Sequence, residues 1–146
     1  MGTQQILLIV LSVIIVGVAI AVGITMFSNQ AFNSNQQALS GELQNYASQC
    51  IQFFKTPEGQ GGAGNDTTKV VLATLANFIN FSGTGETLDT DNGTFKITDG
   101  VGGTVVLEGI GKESKGGEYP KITTTIVLTT GAITSVVSRA ATHTSW

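Results

Sequence analysis

No charged side chain occurs in this chain before Glu42. Within that uncharged stretch lies an apolar run, residues 6–27, reading ILLIVLSVIIVGVAIAVGITMF. Its only hydroxyls are Ser12 and Thr25, and its only glycines are Gly17 and Gly23. As a helix rising 1.5 Å per residue it spans about 33 Å, the thickness of a hydrocarbon core. A helix that is apolar on every side cannot lie on the surface of a soluble domain. It requires lipid or further copies of itself.

A secretory signal would combine a basic start, a short apolar stretch and a small-residue cleavage site. This chain starts with Met1, Gly2, Thr3, Gln4 and Gln5, with no Lys or Arg. The run is too long for such a signal, has no A-x-A exit and leads straight into a helical pattern. We expect it to be retained. No basic residue lies near either end, so charge does not orient it across a membrane.

From residue 28 most positions are polar, but apolar ones recur at Phe32, Leu39, Leu43, Tyr46, Ala47, Cys50 and Phe54. That spacing draws one stripe along a helix of 3.6 residues per turn. Gly41 is its weakest point, and Pro57 stops it, since the residue before proline avoids the α region. The expectation is one helix of about 50 residues, apolar all round in residues 1–27 and amphipathic in 28–56. Residues 57–66 read as a Gly-rich loop, flexible by composition. Residues 67–81 (TTKVVLATLANFINF) fit a short helix capped by Thr67 or Thr68, with a strand or irregular structure as the alternative. From residue 91 the period becomes two. Residues 94–98, 103–110, 121–130 and 133–139 alternate, are rich in β-branched side chains and are separated by glycine turns. They predict an antiparallel sheet of about four strands, with Ile122, Thr124, Ile126 and Leu128 on one face. One face needs a cover, and the stripe from Phe32 to Phe54 is available. The fold class is therefore α+β: a long N-terminal helix whose C-terminal half packs on the sheet of a β-rich head, residues 67–146.

Composition excludes several functions. A net charge of −3 without a Lys/Arg cluster argues against nucleic acid as a partner. The lone Cys50 forms no internal disulfide or multi-Cys metal site, and on the apolar stripe it reads as a small packing residue. His143 has no ligand partner nearby in sequence and reads as a surface or interface side chain. Phe27, Phe32, Tyr46, Phe53 and Phe54 read as packing at helical spacing. The segment Asp89-Thr-Asp91-Asn-Gly93 resembles the start of a calcium loop, but its glycine comes one residue early and no downstream Glu fits, so it reads as a turn. Residues 59–64 lack the Lys and Ser/Thr of a phosphate loop. No C-x-x-C-H haem motif and no catalytic constellation is present, so neither enzyme activity nor a cofactor is expected. Asn65, Asn80 and Asn92 begin N-x-S/T sequons, and Thr123, Thr125, Thr129 and Thr130 offer hydroxyls, so glycosylation is open.

Within the apolar run, Gly17-x-x-x-Ala21 and Ala19-x-x-x-Gly23 are pairs of small residues that let helix backbones approach closely. A retained apolar helix that continues as the amphipathic support of a small antiparallel sheet resembles a type IV pilin, bacterial or archaeal. The resemblance covers the whole chain in layout and roughly the first 55 residues in motif. It implies an extracellular filament used in adhesion or surface interaction. Its subunits wait in the inner membrane with their assembly machinery and then bundle their helices into a homopolymeric core. The core residues implied are Met1, Gln5, Ile6, Leu8, Ile14, Gly17, Val18, Ala21 and Gly23. With Met1 as first residue, Gln5 falls where the bacterial family usually has Glu, whose carboxylate neutralises the neighbour's terminal amine; an amide only donates and accepts hydrogen bonds. The family's helix-breaking proline and C-terminal disulfide are absent here, as some of these marks are in archaeal pilins. Valine, isoleucine and glycine lower helix propensity in water, which makes Gly17 to Gly23 a candidate extensible segment within a filament. The alternatives are a single-span anchor holding a binding domain and a pseudopilin of a secretion machine.

Overall fold

A computed structural model describes residues 2–81, 86–99 and 102–143. Helix α1 (Gly2–Lys55) is one unbroken helix of 54 residues, running through Gly17, Gly23 and Gly41 without interruption. After it come a short helix α2 (Leu72–Phe78) and strands β1 (Thr87–Asp89), β2 (Gly93–Asp99), β3 (Thr104–Gly111), β4 (Tyr119–Val127) and β5 (Ala132–Ala140). The strands form a single antiparallel sheet in the order β1-β2-β3-β4-β5. One strand more than the pattern predicts is present. The addition, β1, is three residues long, too short to show a period of two.

Only the second half of α1 touches the sheet. Leu39, Leu43, Ala47, Cys50 and Phe54 pack with Phe95, Leu107, Ile122 and Ile126 in one buried cluster. Each Leu, Ile or Phe among them, fully buried, contributes about 1.5–3 kcal/mol. A helix with its side chains is about 10 Å wide and strands are about 4.8 Å apart, so one helix covers about two strands. The two covered are β3 and β4. On the near side α2 packs beside β2, and Tyr46 meets Phe81 and Phe95 edge to face at 5.0 and 5.4 Å. On the far side β5 is exposed along all of its length except Ala140.

Glycines on the covered face let α1 settle this closely. A Cβ on Gly109 would lie 2.8 Å from the Phe95 ring and 3.2 Å from Leu43 Cδ1, and one on Gly93 would lie 2.8 Å from Leu39 Cδ2. A Cβ on Gly111 would collide with Asn35 Oδ1. Asn35, Leu39 and Leu43 are successive i, i+4 positions on one face of α1, so the glycines seat consecutive turns of the helix.

Two connections differ from their sequence reading. Residues 57–66 are not a free linker. Ala63, Asn65 and Gly64 donate their backbone N–H groups to the carbonyls of Phe53, Phe54 and Thr56 at 3.1, 2.8 and 2.8 Å. The loop thus satisfies the acceptors that a helix end leaves open, and Ala63 is wholly buried. The expected helix starting at Thr67 is split in two. Asp66, rather than Thr67 or Thr68, accepts from the Thr68 backbone N–H at 2.9 Å and caps a 3-10 turn, Thr67–Lys69. Val70 and Val71 are then extended, and α2 starts only at Leu72.

Candidate functional site

The feature without a structural partner is the first half of α1. Every large apolar side chain from Ile6 to Phe27 is 51–77 % exposed, and none of the most apolar 18-residue window is buried. This helix is long and apolar enough to cross a membrane. Gln5, Ile6, Leu8, Ile14, Gly17, Val18, Ala21 and Gly23 are all exposed on it, and Met1 lies outside the described residues. The single chain therefore brings none of these side chains against another element. The two hydroxyls in the run are satisfied internally. Ser12 Oγ donates to the Leu8 carbonyl at 2.8 Å and Thr25 Oγ1 to the Ala21 carbonyl at 2.9 Å, the usual back-bonding to residue i−4. A Cβ added at Gly17 or Gly23 would meet nothing within 4 Å. No contact inside the chain gives those glycines a packing role.

The second half of α1 fixes the rod to the head. Phe32, Leu39, Leu43, Cys50 and Phe54 are buried and Tyr46 is half-buried. Phe32 lies under the Arg139 guanidinium, 5.7 Å from its ring centroid. Burial pushes the Cys50 thiol up to about 12, and it raises the Tyr46 phenol too, with a smaller push from the Glu42 charge. The Cys50 thiol is free and inert in this state.

A polar clip closes the junction. Asn35 Nδ2 donates to the Asn92 carbonyl at 2.7 Å, and Asn35 Oδ1 accepts from the Glu113 backbone N–H at 3.4 Å. Glu42 accepts from Asn92 Nδ2 and, at 3.2 Å, from Thr90 Oγ1. Lys112 donates to the Thr90 carbonyl and pairs with Asp89 at 3.2 Å. The Lys112 and Thr94 hydrogen bonds hold the Asp89 carboxyl below the ordinary range. The segment with a calcium-like pattern is thus a turn whose side chains and carbonyls are tied to α1 and Lys112. The stripe reading passed over Asn35, which is buried. Asn35 was hidden by its polarity, although it lies four residues before Leu39; Phe53, off the stripe, is buried as its reading among the packing aromatics implies.

The other sequence candidates scatter. Asn65 and Asn80 are exposed, at φ 64° and 61°, where asparagine is favoured over most residues; Ser82 of the second sequon lies outside the described residues. Asn92 is engaged by Glu42. Thr123 and Thr125 are half-buried and lie away from the helix, and Thr129 and Thr130 are exposed in the β4–β5 turn. His143 stacks edge to face on Tyr119 at 5.8 Å. Asn29 Oδ1 and His143 Nε2 are buried without a hydrogen-bond partner among the described residues. Among those residues, no three His, Cys, Asp or Glu side chains converge to hold a metal ion. In comparison with known proteins, no family model, no curated protein and no solved structure matches this chain.

Proposed function

We propose that this chain is the structural subunit of a type IV pilus-like filament. The subunit is held in a membrane by the first half of α1 before assembly and is bundled through the same residues afterwards. Head domains then coat a core of parallel helices on the cell surface. The reading includes no catalysis and no cofactor.

The observation that carries it is the continuity of α1. One helix joins a half with no covering element to a half locked into the head, so any force on the apolar half reaches the head without a hinge. A membrane anchor needs only about 30 Å of apolar helix. Here the uncharged length, residues 2–41, is about 60 Å, twice that requirement. Charge is free of cost in a solvated neck and costly inside a bundle of helices, so its absence through residue 41 favours the bundle.

The small residues add direction. At about 100° per residue, Gly17 with Ala21 and Ala19 with Gly23 lie on sides of the helix about 200° apart. A dimer needs one close-approach face, whereas a polymer needs at least two.

The test is electron microscopy of the sheared surface fraction from producing cells, with mass spectrometry of any fibres. Long uniform fibres made of this chain are the expected result. Ile14→Asp or Val18→Asp should reduce them below detection. Fibres of normal abundance from either variant would refute the core assignment, and recovery of the unaltered chain only in the membrane pellet would replace the filament with an anchor.

A further inference from the structure

The chain contains one Asn-Gly step, Asn92-Gly93, and it lies in the turn that α1 clamps. Such a step is reactive, because the backbone nitrogen of the second residue can attack the side-chain amide carbon of the first. Glycine favours this, since it has no Cβ to restrict the approach. Here the attacking nitrogen is loosely held. The Lys112 N–H donates to the Asn92 carbonyl at 3.3 Å, which makes Gly93 and Gly111 a non-hydrogen-bonded pair of the β2–β3 ladder. The Gly93 N–H therefore points away from β3 and donates to Thr90 Oγ1 at 3.3 Å, a long bond. The target is held firmly, and from α1. Asn92 Nδ2 donates to the Glu42 carboxylate, and the Asn92 carbonyl also accepts from Asn35 Nδ2 at 2.7 Å.

We propose that Asn92-Gly93 is a deamidation site gated by the seating of α1, with Glu42 as its guard. In the reaction the Gly93 nitrogen gives its proton to water and attacks Asn92 Cγ. An N–Cγ bond forms, the Cγ–Nδ2 bond breaks, and Nδ2 leaves as ammonia. The five-membered imide then adds water at either carbonyl, giving aspartate or isoaspartate at position 92. One water is consumed and one ammonia released, with no change of oxidation state. Solvent is at hand, since Asn92 lines an open polar cleft of about 290 Å³ with Ser34, Asp91 and Glu113. While α1 is seated, Glu42 and Asn35 deny the rotation that brings Cγ onto the Gly93 nitrogen. When α1 lifts, both holds are lost together.

The product does not fit the seat it leaves. Its carboxylate replaces the donor from which Glu42 accepted, so two negative charges face each other. Lys112 lines the same cleft but is already bonded to Asp89 and the Thr90 carbonyl. Isoaspartate also lengthens the backbone by one atom, beside a glycine packed against the Ile110 carbonyl and Leu39. A transient lift of α1 is thereby made permanent. The gate stands on the α1–head junction and applies to the chain in a membrane and in a fibre alike.

The experiment incubates the purified full-length chain in detergent in mildly alkaline buffer. Peptide mapping with mass spectrometry follows aspartate and isoaspartate at position 92. Asn65 and Asn80, both exposed and neither followed by glycine, are the internal references. The folded chain should convert Asn92 slowly and the denatured chain quickly. Glu42→Ala, shown to be folded by its melting curve, should speed conversion about ten-fold or more, the factor that a hydrogen bond to a charged group confers. Glu42→Gln keeps an acceptor oxygen and should stay within a few-fold of the unaltered rate. Asn92→Asp should melt below the unaltered chain, and Glu42→Gln added to it should restore part of the loss. Equal rates from Glu42→Ala and the unaltered chain, or from Glu42→Ala and Glu42→Gln, overturn the guard. An Asn92→Asp chain melting at the unaltered temperature overturns the lock. Conversion of Asn92 in the denatured chain no faster than that of Asn65 or Asn80 overturns the site itself.

Discussion

Replacing Gly109 with alanine tests whether close approach of α1 to the sheet, rather than apolar content alone, holds the head together. The new methyl would lie 2.8 and 2.9 Å from Phe95 ring carbons and 3.2 Å from Leu43 Cδ1, so atoms must move. Phe95 is wholly buried and stacked on Tyr46, which limits its retreat. α1 cannot simply rise, because Leu39 and Asn35 are seated on Gly93 and Gly111 in the adjoining turns. Overpacking of this kind costs about 1–3 kcal/mol. Loss of glycine's unfolded-state freedom returns about 0.4–1 kcal/mol. The net expectation is a loss of about 1–2 kcal/mol, which for a head of this size lowers the melting temperature by roughly 4–16 °C. The matched control is Gly41→Ala. Its Cβ meets nothing within 4 Å and it sits inside the same helix, so it should gain about 0.8–1 kcal/mol. Calorimetry of the full-length chain in detergent reads both. Opposite shifts are the expected result, and a Gly109→Ala chain melting at or above the unaltered one would refute the seating argument.

Two other perturbations have defined outcomes. Glu42→Ala leaves the partly buried Asn92 amide without its acceptor, while the Thr90 hydroxyl keeps the Gly93 carbonyl, so the same calorimetry should show a loss of about 1–3 kcal/mol. An unchanged melting temperature would remove the clip from the account of stability. The Cys50 thiol, at about 12 against an ordinary 9.0, makes stability depend on alkaline pH. With the folded value raised, stability is constant in this respect below pH 9 and falls as pH rises towards 12, because only the unfolded chain ionises the thiol. At pH 11 the loss reaches about 3 kcal/mol, and Cys50→Ala, although costly at neutral pH, should flatten the slope. A thiol reagent should label the folded chain at neutral pH far more slowly than the denatured one.

The long helix and the sheet were legible because each rests on a period. An uncharged apolar run followed by one stripe dictates a helix with two environments, and the alternation in β2 to β5 dictates strands. What the sequence hid depends on geometry between elements. β5 reads as strongly as β4, since Ile133 and Val137 alternate like Ile122 and Ile126. Yet only β4 is covered, because one helix is two strands wide. Gly109 and Gly111 look like turn residues or bulge markers in a string, but their role appears only when Leu43 and Asn35 stand over them. Asn35 and Glu42 are polar and read as solvent-facing, although they close the junction. The Gly-rich loop reads as slack because composition records freedom in the unfolded chain, not the carbonyls that its N–H groups cap. For the first half of α1 the opposite holds. Its apolar character was plain in the sequence, and the single chain adds no contact to it.

That lack of contact bears on where assembly is specified. Apolar side chains moving from lipid to a helix bundle gain little from the hydrophobic effect, because they have already left water. The association must come from close packing and from polar groups at defined heights. Inside the run there are few such groups, since Ser12 and Thr25 bond their own helix. Val, Ile and Leu surfaces can slide past one another by a turn at small cost. Fixed heights occur at the ends of the run, where Gln4 and Gln5 precede it and Asn29, Gln30 and Asn33 follow. Asn29 Oδ1 lacks a partner among the described residues, and amides bonding between helices contribute about 0.6–2 kcal/mol each. The filament we propose would take its cohesion from the apolar half of α1 and its register from the amides. On that division of labour the first 27 residues need little more than length, apolarity and two close-approach faces, while the amides that flank them would set subunit spacing.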